Sequence, residues 1–124
     1  MNGSKAGRVA TSSEETELAI RVGKAIAQRR TEANLTQEQV AEKLGIGTEA
    51  VSRMERGTVM PTVARLVRLA EILSCGADDL LMDGSNRASD QAKLIAQLLE
   101  DLTQNDRDLL LELLRKMSSR LKQP

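Results

Sequence analysis

The chain predicts an all-α fold: a five-helix domain followed by a C-terminal two-helix hairpin. Apolar residues recur at 3–4 spacing through most of its length, the signature of helices with one buried face. Hydroxyl residues followed three positions later by Glu, Gln or Asp mark helix starts at Ser12–Glu15, Thr36–Gln39 and Thr103–Asp106. Asn34, Gly45 and Gly57 fall where the periodic runs stop, as left-handed C-terminal caps do. With 124 residues, 40% of them apolar, there is room for one compact domain and an appendage, and two full domains are not expected.

Met1 to Ser13 is small, polar and Gly/Ser-rich, and cannot bury enough apolar surface to offset the entropy of ordering. Residues 1–13 are therefore expected to form a disordered arm, whose Lys5 and Arg8 are either plain tail or contacts to a nucleic-acid backbone. The first helix is expected to start in the Ser12–Glu15 capping box and to run to about Ala33. Its inner face would carry Leu18, Val22, Ile26 and Ala33, with Arg21, Lys24, Gln28 and Arg29 turned away. The second, capped by Thr36, buries Val40, Ala41 and Leu44 and stops at Gly45. The third, Thr48 to Arg56, buries Val51 and Met54. Thr62 caps the fourth, with Val63, Leu66, Leu69, Ala70 and Leu73 as its stripe, and a short fifth helix, Gly76 to Leu81, closes the domain with Leu80 and Leu81.

This places the globular domain at residues 14–82, a linker at 83–88 around Gly84-Ser85-Asn86, and the hairpin at 89–122. The hairpin helices are expected at about Ser89–Leu102 and Gln104–Lys122. In the last one Leu110, Leu113, Leu114, Met117 and Leu121 form a single stripe, widened by Leu109 and Leu111 to an apolar arc of about 200°, more than one neighbour requires. Either the hairpin folds back on the first domain or two copies pair through it. Pairing is the preferred reading, because the linker sets it apart from a domain that already closes itself.

Composition removes several functions. There is no Phe, Trp or Tyr, so no base can stack on an aromatic platform, which disfavours single strands and RNA. With no His and one cysteine, Cys75, the usual zinc sites, an internal disulfide and histidine-based catalysis are not available. No nucleophile–base set or phosphate-cradling glycine loop stands out, so neither an enzyme nor a cofactor or metal is expected. No apolar run is long enough to span a membrane and no signal segment is visible, which leads to an expected cytoplasmic location with no membrane partner. Lys plus Arg and Asp plus Glu both total 18, so a nucleic-acid face would have to come from arrangement and not from excess charge.

The stretch Leu35 to Gly57, LTQEQVAEKLGIGTEAVSRMERG, reads as a helix-turn-helix whose second helix enters the major groove of duplex DNA. From about Val22 to Leu81 the chain resembles the lambda/434 repressor-like (Cro/CI, XRE) regulators. The resemblance rests on LTQ, Ala41, Gly45, VSRMERG, Pro61 and the LVRLAEIL…DDLL ending. It implies a five-helix lambda-repressor-like domain that binds operator DNA, usually as a dimer. It also places base contacts on Thr48, Glu49 and Arg53. Arg can pair bidentately with guanine, Glu can accept from cytosine, and a Thr methyl can meet that of thymine. Glu49 either reads a base or, at i, i+4, holds Arg53 in place.

Gln37, at a helix N-terminus, is implied as a phosphate clamp, with Lys43 and Ser52 as further candidate phosphate contacts. Arg30 and Glu55 correspond to the family's structural ion pair. The departure lies at Thr58-Val59-Met60, where such proteins usually carry cations, so a single copy is expected to bind weakly. Cys75 stands where the family has a buried aliphatic residue, and a small buried hydrophobe is the preferred reading over a redox switch. The expected function is a sequence-specific regulator, most simply a repressor, acting as a homodimer on a near-palindromic double-stranded operator. Its alternative is a protein-interaction module, such as an antitoxin or adaptor, whose Leu-rich hairpin binds another protein.

Overall fold

A computed structural model describes residues 11–122, whose regular elements are all helices, in the order α1 (Ser12–Glu32), α2 (Gln37–Leu44), α3 (Thr48–Arg56), α4 (Val63–Leu73), α5 (Ala77–Gly84), α6 (Ala88–Leu99) and α7 (Gln104–Lys122). The chain divides between Arg87 and Ala88 into two units. Lys5 and Arg8, with the rest of residues 1–10 of the expected arm, lie outside the described residues.

Helix ends follow local chemistry. Thr36 accepts from the Gln39 amide at 3.1 Å while Gln39 accepts from the Thr36 amide at 2.8 Å, the reciprocal box that starts α2. The α1 box is one residue earlier than expected: Thr11, not Ser12, is the cap, and its hydroxyl accepts from the Glu14 amide at 3.1 Å. Two overlapping boxes are written in this stretch, and the threonine one wins, which places 11–13 at the start of α1. Asn34 and Gly45 adopt left-handed φ angles of 59° and 72°, and so does Ser74 at 60°, a stop with no sequence marker.

The first unit is built on an aliphatic core. Ile26, Leu69, Leu80, Val22, Val40 and Val51 are its largest fully buried side chains, with Leu35, Leu44, Ile46, Ile72 and Cys75 packed around them. Helix α1 packs on α3 and α5, and α2 on α3 and α4. Of the expected inner face of α1, Val22 and Ile26 are buried, but Leu18 is 42% exposed and Ala33 is exposed, and Ala19, Gly23 and Ala25 are buried in addition. The added positions, Ala19, Gly23 and Ala25, are small, and α1 crosses its neighbours closely there. A Cβ on Gly23 would overlap the Met54 carbonyl oxygen, and one on Gly57 would strike the Ile20 backbone. Gly57 is doubly constrained, since its φ of 77° also favours glycine.

Two further apolar expectations fail. Val63 is 77% exposed and Leu81 44% exposed, although both have the right spacing. Periodicity gives an angle about the helix axis, not whether another element reaches that turn. Two arginines expected on the outer side of α1 instead reach across the unit. Arg21 donates to the Gly84 and Ser85 carbonyls at 2.8 and 3.0 Å, and Arg29 pairs with Asp83 at 2.6 Å. They hold the end of α5, which runs to Gly84 and not to Leu81.

In the second unit α7 begins as expected, with the Thr103 hydroxyl accepting from the Asp106 amide at 3.3 Å. Helix α6 stops at Leu99, earlier than Leu102. Arg107 is the reason: it donates to the Leu99 and Glu100 carbonyls at 2.9 Å each and closes the helix end. The expected hairpin is open. Its helices are not packed along each other, no residue of α6 or α7 is buried, and everything from Asp108 to Lys122 is exposed.

Candidate nucleic-acid interface

Helix α3 buries Val51 and Met54, and its opposite face is polar. At 100° per residue Thr48, Glu49, Ser52, Arg53 and Arg56 fall within an arc of about 140°. On that face Glu49 lies 3.8 Å from the Arg53 Nε and 3.2 Å from an Arg56 nitrogen, while Arg56 also donates to the Ser52 hydroxyl. These side chains are more than half exposed, so the pairs add little stability and remain free to exchange partners. One carboxylate gathers two guanidinium groups, and the face carries a net positive charge. Gly47 supplies no side-chain cap, so the first-turn amides of α3 are not occupied by a capping side chain. At its other end the Thr58 hydroxyl donates to the Arg53 carbonyl at 3.1 Å and terminates the helix.

Arg56 is absent from the sequence-based candidate set. Its signal was available: it lies one turn beyond Ser52 and two beyond Glu49 on the same face.

Beside this face, Glu55 organises the start of α2. Arg30 Nε donates to Glu55 Oε2 at 2.7 Å and Arg30 Nη2 to Oε1 at 3.1 Å. Gln37 Nε2 donates to the same Oε1 at 2.9 Å, and a third Arg30 nitrogen donates to the Leu35 carbonyl at 2.8 Å. The hydrogen bond that Arg30 donates to Glu55 raises the Arg30 pKa, against the opposing effect of burial, so the guanidinium stays charged. Gln37 is thereby held at a helix N-terminus with one amide hydrogen still free, the disposition an incoming phosphate oxygen needs.

Lys43 is not brought to that place. It lies about 120° around α2 from Gln37. There it lines a groove with Leu35, Gln39 and Glu42, and its carbonyl accepts from Arg68 at 3.3 Å. Val59 and Met60, after α3, are 48% and 40% exposed, so the loop presents apolar surface where cations would grip a backbone. Among the described residues no group of three or more His, Cys, Asp or Glu side chains could hold a metal, and no helix is long and apolar enough to cross a membrane.

A helix capped at Thr36, a turn at Gly45 and a second helix with an exposed polar face, packed on one core, define a helix-turn-helix unit. A family profile described as helix-turn-helix matches residues 26–80. The HTH-type transcriptional regulator y4dJ of Sinorhizobium fredii is 38% identical over 60 residues, which cover 48% of this chain and 78% of that protein. The cryptic phage CTXphi transcriptional repressor RstR of Vibrio cholerae is 26% identical over 97 residues, 78% of this chain and 87% of that one. Among solved structures the clp gene regulator ClgR from Corynebacterium glutamicum shares the fold, with a TM-score of 0.54 and 24% identity over 67% of this chain and 90% of that chain. The chain belongs to the XRE-type helix-turn-helix family of transcriptional regulators, a family of DNA-binding proteins and not of enzymes.

Proposed function

We propose that this regulator binds a near-palindromic double-stranded operator as a homodimer, in the cytoplasm, and acts most simply as a repressor. The observation that carries the reading is the α3 face, where Thr48, Glu49 and Arg53 stand exposed beside Ser52 and Arg56. In this reading the first three meet base edges, with Arg53 as the guanine reader. Gln37, Ser52 and Arg56 meet phosphates. Lys43, turned away from Gln37, contributes least. Arg30 and Glu55 hold α1, α2 and α3 in register. RstR, which is similar over 78% of this chain, is a transcriptional repressor, whereas the activator BcrR of Enterococcus faecalis is similar over only 45% of it; the longer match favours repression.

Dimerisation follows from the surface balance. With no cation at Thr58, Val59 or Met60, one copy neutralises few phosphates, and affinity must come from two half-sites about 34 Å apart. The α7 stripe of Leu110, Leu113, Leu114, Met117 and Leu121 joins the copies. Selection of the full chain on randomised duplexes tests the proposal. Enrichment of one near-palindromic site is expected, and Arg53→Ala should lose about 1–3 kcal/mol of discrimination at a single base pair in each half-site. Retention of bulk duplex without enrichment of any sequence would overturn it.

A further inference from the structure

The structure of α7 points to the direction of pairing: we infer that two copies join with their α7 helices antiparallel, centred near Leu113, so that Asp106 of each copy meets Arg120 of the other. This rests on the proposed α7 dimer and adds its geometry. The occupant of the apolar face is thus a second copy of this chain.

Leu110, Leu113, Leu114, Met117 and Leu121 are 43–80% exposed and line one groove along the helix. No helix of the same unit covers them, because α6 is not packed along α7. Asp106, Leu110, Leu113, Met117 and Arg120 follow one another at spacings of four, three, four and three. That is the spacing of a seam along which two helices pack. The seam carries an acid at its first position and an arginine at its last, with apolar residues between.

Charge continues the pattern along the helix. The first half holds Asp106, Asp108 and Glu112, and its one cation, Arg107, is committed to the Leu99 and Glu100 carbonyls. The second half holds Arg115, Lys116, Arg120 and Lys122 with no acid. Acids first and bases last suit the dipole of any single helix. The same order decides between pairings once the face is shared. A parallel pair sets acid on acid and base on base, whereas an antiparallel pair sets each half against its complement and opposes the two macrodipoles. Asp106 and Arg120 each lie about 10 Å along the axis from Leu113. Two-fold pairing about Leu113 therefore superposes them twice.

Charge reversal in the full chain, read by sedimentation equilibrium at low salt, tests this. Asp106→Arg and Arg120→Asp are each expected to weaken the dimer about tenfold, because each converts two symmetry-related attractions into repulsions. The double variant is expected to regain the parent's affinity. Circular dichroism on each variant confirms that these exposed positions leave helix content unchanged. A parallel pair gives a different pattern: neither single variant weakens association, and that result overturns the proposed direction while leaving the dimer standing. Singles that weaken without recovery in the double also overturn it. A parent chain that sediments as a monomer, or that associates equally well after Leu113→Glu, removes the α7 dimer itself.

Discussion

Helices α4 and α7 carry the same kind of apolar stripe with opposite outcomes. In α4, Leu66, Leu69, Ala70 and Leu73 are 0–5% exposed because α2, α1 and α5 close over them. In α7, Leu110, Leu113, Leu114, Met117 and Leu121 have comparable spacing and remain open. A stripe records that a face is to be covered. It does not record which chain supplies the cover. The difference lies in the connections: short turns and the glycines under α1 bring five helices into one core in the first unit, whereas α6 and α7 meet at a joint held by the Arg107 bonds to the Leu99 and Glu100 carbonyls and are not packed along each other.

The largest expected effect tests that contrast directly. Leu69→Ala should lower the unfolding free energy by about 2–5 kcal/mol, through lost burial and the cavity left behind. The loss should not vary with protein concentration in urea titrations. Leu113→Ala at dilute concentration should change it by no more than about 0.5 kcal/mol, the range of surface substitutions. If Leu113→Ala proved as costly as Leu69→Ala in dilute protein, α7 would be part of a core within its own chain.

A smaller effect separates the two kinds of ion pair on α3. Glu55 and Arg30 have side chains only 7% and 19% exposed. Glu55→Ala removes the acceptor that Arg30 and Gln37 share and leaves Arg30 only its bond to the Leu35 carbonyl, at an expected cost of roughly 1–3 kcal/mol. The Glu49 pairs are open to solvent, so Glu49→Ala should alter stability by less than about 0.5 kcal/mol. Its effect should appear instead in DNA selectivity, through freed Arg53 and Arg56. Thermal melts of the two variants side by side check the ordering, and equal losses would contradict it.

What is legible in the sequence is local. Thr36, Gly45, Gly57 and Thr62 mark helix ends because caps and left-handed stops depend on neighbours within a few residues. The polar face of α3 is legible for the same reason, since Thr48, Glu49, Ser52 and Arg53 share one short helix. What fails is non-local. The inner face of α1 is displaced from the Leu18 line because glycines at Gly23 and Gly57 admit close crossings, and the partners of those glycines are distant in sequence. Arg21 and Arg29 look like solvent-facing cations until the end of α5 is seen beside them. The bond from Gln37 to Glu55 has the same character, and Arg56 shows that even a local face is missed when its last member is read only as the residue before a glycine cap.

Cys75 gives the mildest test, and it compares the two units through chemistry instead of stability. The side chain packs against the first unit's core, and burial pushes its thiol pKa up, with Arg29 pulling in the opposite direction. A raised pKa means that folding favours the neutral thiol. The associated stability is present below the unfolded thiol's range and is lost as pH rises through the folded value. Near neutral pH little thiolate forms, so alkylation of Cys75 by iodoacetamide should be slower in the folded chain than in urea, with its rate rising at higher pH than for an unfolded cysteine. A Ser119→Cys substitution on α7 supplies the internal reference. Ser119 is exposed and lies on the far side of the helix from Leu113 and Met117, so its thiol should react at an ordinary rate whether or not the α7 helices are paired. Equal rates at the two positions would mean that the core around Cys75 opens as readily as the surface of α7, and the contrast between a closed unit and an open one would fail at that point.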